Sequence, residues 1–102
     1  MKGKTMSQTI HVVFRCKDGQ GVNLLMGLKE ALVDTRTFEG CELVEAYTDA
    51  DNPDTVVLLE KFATREDHES YIAWRTETGM FDMLGAILAS YLEVTYLDIA
   101  DA

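Results

Sequence analysis

Apolar and polar positions alternate along some stretches of this chain and recur at helical spacing along others, and their order predicts the architecture. Thr9 to Cys16 (TIHVVFRC) places Ile10, Val12, Phe14 and Cys16 on one face of a strand and His11, Val13 and Arg15 on the other. Lys17 to Gly21 is turn chemistry. From Val22 to Val33, the residues Val22, Leu25, Met26, Leu28, Leu32 and Val33 form one broad helical stripe. Asp34 to Gly40 is polar, and Gly40 suits a turn before the next strand. Cys41 to Tyr47 alternates again, with Cys41, Leu43, Glu45 and Tyr47 opposite Glu42, Val44 and Ala46. Asp49, Asp51, Asn52, Pro53 and Asp54 predict a loop rather than a tight two-residue hairpin.

The stretch from Gly40 to Trp74 carries the strongest signals. Val56-Val57-Leu58-Leu59 is the most apolar run, as expected of a strand covered on both faces. It continues through Glu60-Lys61-Phe62 to a short loop. Thr64 opens a helix, because its side chain can accept from the free N–H groups of the first turn. Asp67 replaces the usual Glu of a capping box, and Glu66 and Asp67 suit the positive end of the helix dipole. This helix is expected to reach Trp74 or Arg75 before Thr76-Glu77-Thr78-Gly79 interrupts it. Met80, Leu84, Ile87, Leu88 and Tyr91 then predict a second, separate helix, and Tyr91 to Ile99 alternates as a final strand.

The resulting βαββαβ order is an α+β, ferredoxin-like arrangement: a four-stranded antiparallel sheet with helices on one face. Right-handed crossovers put the first and third strands at its centre. The face without helices carries apolar groups, so it calls for a partner, and a second copy of the chain is the simplest one.

Composition narrows the function classes. A chain of 102 residues makes one domain, expected over residues 9–102 behind a frayed N-terminus at 1–8, with Met6 an alternative start. A formal charge of −9 argues against nucleic acid and against an anionic membrane surface. No run of about 18 apolar residues exists to span a membrane, and the first residues lack the apolar core of a secretory signal. A cytoplasmic protein is the expectation. Two cysteines, Cys16 and Cys41, on different strands form neither a zinc motif nor a disulfide framework, and small buried thiols are expected.

Thr35-Arg36-Thr37-Phe38-Glu39-Gly40-Cys41 resembles the "TR-x-E-x-GC" approach to the second strand in the antibiotic biosynthesis monooxygenase domain family, the dimeric α/β-barrel proteins. Thr48 to Asp54 resembles that family's acidic loop, and Val57 to Glu66 resembles its strand-to-helix step. The resemblance covers about Thr9 to Ile99. It implies a homodimer whose two sheets enclose a pocket on each protomer. Members include cofactor-independent oxygenases of phenols or quinols and haem-degrading enzymes. Many members carry two histidines near the end of the main helix; here Trp74 and Gly79 stand at those places. The haem-degrading relatives need a further His where this chain has Leu84, so no iron ligand is expected.

Candidate chemistry follows from these placements. His11, mid-strand, is the candidate catalytic base or hydrogen-bond partner of a phenol; read structurally, it is a satisfied strand histidine. Trp74, Tyr71 and Phe81 are candidate substrate-binding walls, because flat rings stack on flat rings; core or interface packing is the alternative for each. His68, among Glu66, Asp67 and Glu69, is expected in solvent. Glu60 and Glu45 could form an acid–base pair, or meet Arg15, Arg36 or Lys61 across strands. No metal set, flavin or nicotinamide fingerprint is recognisable, so no cofactor is expected. The first functional expectation is a cofactor-independent monooxygenase of a small aromatic phenol or quinol. The alternative is a non-catalytic ligand-binding or structural dimer of the same fold.

Overall fold

A computed structural model describes residues 7–100. The elements are β1 (Gln8–Arg15), α1 (Gly21–Thr37), β2 (Cys41–Asp49), β3 (Asn52–Phe62), α2 (Arg65–Glu77), α3 (Met80–Leu84) and β4 (Glu93–Leu97). The strands form one antiparallel sheet in the order β2-β3-β1-β4, with the first and third strands central as expected. This is the α+β, ferredoxin-like fold. Most of the expected frayed segment lies outside the described residues, and Gln8 already belongs to β1.

Strand parity sorts the sheet into two faces. Ile10, Val12 and Phe14 of β1 join Val56, Leu58 and Phe62 of β3 beneath the helices, all buried. Their cross-strand partners obey the same rule: Val12 pairs with Leu58 and Phe14 with Val56. Against them α1 lays Leu24, Leu28 and Leu32. This stripe differs from the expected one, since Val22, Met26 and Val33 are exposed. Successive fours from Leu24 align along the line of closest approach to the sheet, and the flanking apolar residues lie off it.

Three further expectations are corrected. The acidic stretch after β2 is a tight hairpin: Asp49 pairs with Asn52 across a two-residue turn. Asp49 Oδ1 accepts from the Asp51 N–H at 2.8 Å and Asn52 Oδ1 from the Asp54 N–H at 3.0 Å, so the Asx side chains supply the turn chemistry. The third helix stops at Leu84 instead of running on through Tyr91. The chain then turns so that Ala89 N–H donates to Arg15 O and Leu88 bridges Cys16, extending the sheet edge. Tyr91, placed on the helix stripe by spacing, is 96% exposed. The last strand is correspondingly short.

The capped helix is as expected: Thr64 is the N-cap, and its Oγ1 accepts from the Asp67 N–H at 3.0 Å. Gly40 takes the left-handed conformation, φ +88°, and a side chain there would strike Asp67.

One carboxylate ties the start of α1 to β3. Asp54 accepts from the N–H groups of Gly19 at 3.0 Å and Gly21 at 2.9 Å. Those two donors hold its carboxyl below the ordinary value of 3.8. A group whose folded pKa is depressed adds stability above its unfolded pKa, and loses it as pH falls through the folded one. Asp54→Ala is therefore expected to lower the unfolding midpoint at pH 7. The gap from wild type should close as pH falls below about 4, as thermal melts between pH 7 and pH 3 would show. A pH-independent gap would mean the charge plays no part.

Candidate functional site

Between the helix-covered face of the sheet and α1, α2 and α3 lies a cavity of about 190 Å³. Its walls are mostly apolar, from Val12, Leu24, Leu28, Leu58, Ile72 and Leu84 among others. A few polar side chains break that lining: Asn23, Glu60, His68, Tyr71 and Arg75. A cavity of about 150 Å³ already accepts benzene, so this one suits a single aromatic ring.

The polar residues come from three elements, Asn23 from α1, Glu60 from β3 and the rest from α2, and local geometry explains the last two. Glu60 has the parity of Val56, Leu58 and Phe62, so β3 must point it inward. His68, Tyr71, Ile72 and Arg75 recur at i, i+3, i+4 and i+7, one face of α2. The N-cap at Thr64 fixes where that helix begins, and so which face meets the sheet.

At one end of the cavity, Glu60 Oε1 lies 3.4 Å from His68 Nε2, with side chains 4% and 1% exposed. The contact has ion-pair distance but not hydrogen-bond alignment, and among the described residues Glu60 Oε1 has no other partner. The second ring nitrogen, His68 Nδ1, is 2.9 Å from Tyr96 Oη. Burial pushes the Tyr96 phenol up, and the charge of Glu69 adds to that; Arg65 stacks over its ring at 4.0 Å. A more open cleft between α2 and β4, lined by His68, Ile72 and Tyr96, shares part of this wall.

At the other end, Tyr71 Oη is 2.7 Å from Thr35 Oγ1 and accepts from Arg75 Nε at 2.9 Å. Trp74 stands behind this group, stacked on Phe38 with centroids 5.5 Å apart and under the Arg75 guanidinium at 4.4 Å.

Of the residues singled out from the sequence, Tyr71 and Phe81 line the cavity and Trp74 backs it. His11 is not with them. It faces away from the helices, paired with Leu59 and Thr95 on the open side of the sheet. The expectation that His68 is solvated is overturned, because it is 1% exposed beneath Phe62 and Tyr96. Glu60 and Glu45 cannot pair, since they lie on opposite faces of the sheet; Glu45 accepts from the Tyr47 hydroxyl instead. Arg75 was not singled out at all. Its helical phase with Tyr71 was the available signal. Both thiols are pushed up by burial, Cys16 also by Asp54 and Cys41 also by Glu60.

A four-stranded sheet, helices on one face and a ring-sized cavity beneath them define a small α+β domain of ferredoxin-like fold. The chain belongs to the antibiotic biosynthesis monooxygenase family, whose model matches residues 7–78. No curated protein matches it. Solved structures share the fold at low identity. The protein SO0527 of Shewanella oneidensis is 23% identical with a TM-score of 0.79, over 94% of this chain and 95% of its own. Rv0793 of Mycobacterium tuberculosis is 21% identical with a TM-score of 0.81, over 95% and 98%. An antibiotic biosynthesis monooxygenase is 17% identical with a TM-score of 0.81, over 91% and 98%. Among the described residues, no helix is long and apolar enough to cross a membrane.

Proposed function

We propose that the chain is a cofactor-independent monooxygenase of a small phenol or quinol, which it oxidises with O₂ in the cavity beneath the helices. The observation that carries this reading is the buried Glu60–His68 pair in the wall of an otherwise apolar, ring-sized cavity. When His68 Nδ1–H donates to the Tyr96 hydroxyl, Nε2 is the unprotonated nitrogen; it takes the phenol proton, and Glu60, 3.4 Å from that same nitrogen, stabilises the resulting imidazolium. The phenolate then transfers an electron to O₂, the radical pair forms a C–O bond, and loss of water leaves the quinone. One oxygen atom ends in the ring and the other in water, with all electrons drawn from the ring. The protein's share is orientation, exclusion of water and a fixed place for the proton.

Oxygen uptake and quinone formation across a panel of monocyclic phenols, with no added flavin, haem or metal, test the reading. Turnover is expected for at least one phenol. No oxygen uptake with any of them would leave a ligand-binding dimer as the function.

The dimer belongs to the same proposal. The open face of the sheet carries Val13, Leu43, Val57 and Leu59 around His11, with Leu97 40% and Tyr47 50% exposed at its edges. A second copy would cover them, and in that assembly His11 is an interface residue. Sedimentation is expected to give twice the chain mass. Leu59→Lys, at the centre of the face, should yield folded monomers. A wild-type monomer at micromolar concentration would refute the pairing.

A further inference from the structure

Arg75 is a buried cation with no anion beside it among the described residues. Its side chain is 6% exposed and forms part of the cavity wall. Nε donates to Tyr71 Oη at 2.9 Å, and Nη2 donates to Ala31 O at 2.7 Å and to Thr35 Oγ1 at 3.0 Å. Every one of these acceptors is neutral. The rings of Trp74 and Tyr71 lie at 4.4 and 5.4 Å from the guanidinium carbon. Among the described residues no carboxylate pairs with it, and its side-chain hydrogen bonds use Nε and Nη2 but not Nη1. Buried charges are ordinarily paired, because desolvating a lone one is costly. A guanidinium held flat by three fixed acceptors, with one amino group unspent on a side chain that lines an apolar cavity, matches a planar anion.

We infer that the ligand of this cavity carries a carboxylate, which the Nη1 group of Arg75 binds. This rests on the reading of the cavity as the substrate site, and it narrows the substrate to a hydroxylated aromatic acid. Arg75 and His68 stand two turns apart on one face of α2, about 10 Å along its axis. A ring with a carboxylate at one end and a hydroxyl at the other would meet Arg75 and the Glu60–His68 pair together. The reverse orientation would set a carboxylate against Glu60, so the two ends of the cavity also fix the direction of binding.

The test uses benzoate, which has no phenol to oxidise, and benzamide, its neutral isostere. Calorimetric titration of the wild-type protein is expected to show benzoate binding roughly 10–100-fold tighter than benzamide, as a charge-assisted hydrogen bond at a buried site implies. Arg75→Gln should abolish that preference while leaving benzamide binding in place. Because Arg75 also braces α1, the ligand pair decides the matter by itself if the variant does not fold. Equal affinities for benzoate and benzamide in the wild type would overturn the inference, even if phenols are oxidised. A benzoate preference that Arg75→Gln removes would sustain it, even if no phenol is turned over.

Discussion

His68→Ala is expected to lower turnover of a monocyclic phenol by about 10²–10⁴-fold, the range for loss of one positioned acid–base group. The side chain is 1% exposed, lines the cavity, and has Glu60 at one nitrogen and Tyr96 at the other. Among the described residues, no other imidazole lies in the wall, and this one has a carboxylate beside the nitrogen that would take the proton. His68→Gln is the companion variant, since it keeps a polar neighbour for Glu60 and separates lost chemistry from lost packing. His11→Ala is the control. Its side chain points away from the cavity, so steady-state rates should stay near wild type. If His11→Ala removes activity and His68→Gln keeps it, the reactive site lies on the open face of the sheet, and the assignment here is wrong.

Glu60→Gln should both raise stability and lower activity, the trade-off expected where a functional group is kept at a cost to the fold. The Glu60 side chain is 4% exposed, on a strand between Leu58 and Phe62, and among the described residues its Oε1 is without a hydrogen bond. An unsatisfied buried polar atom costs about 1–3 kcal/mol, more if charged. The amide keeps the shape, sheds the charge and can donate to His68 Nε2. Denaturant titration is expected to show a gain of about 1–3 kcal/mol. Turnover should fall on the order of 10²-fold, because no anion remains to stabilise the protonated imidazole. A destabilised but fully active variant would show Glu60 to be a structural residue.

The two residues of this pair were not equally legible. A strand turns by half a circle per residue, so parity alone places Glu60 with Val56, Leu58 and Phe62; the carboxylate inside a core stripe could be read without coordinates. His68 could not. A helix residue is inside or outside according to which face meets the sheet, and α2 is polar enough that its apolar positions do not choose one. His68, Tyr71 and Arg75 define the buried face, and all three carry polar atoms. They are tolerated there because Tyr96, Thr35 and Ala31 O arrive from β4 and α1 to meet them. Those partners lie 28 to 44 residues away in the chain.

The same division runs through the whole molecule. Local rules determined the strand–helix order, the Thr64 cap, the left-handed turn at Gly40 and the antiparallel sheet with β1 and β3 at its centre. These depend on backbone conformation and on patterns a few residues long. Tertiary contact decided what those patterns leave open: which line of α1 packs, where α3 stops and where the cavity lies. Above all, it decided that a histidine flanked by acids in sequence is enclosed by rings in space. Burial is a property of the surfaces that meet, and for α2 those surfaces come from distant parts of the chain.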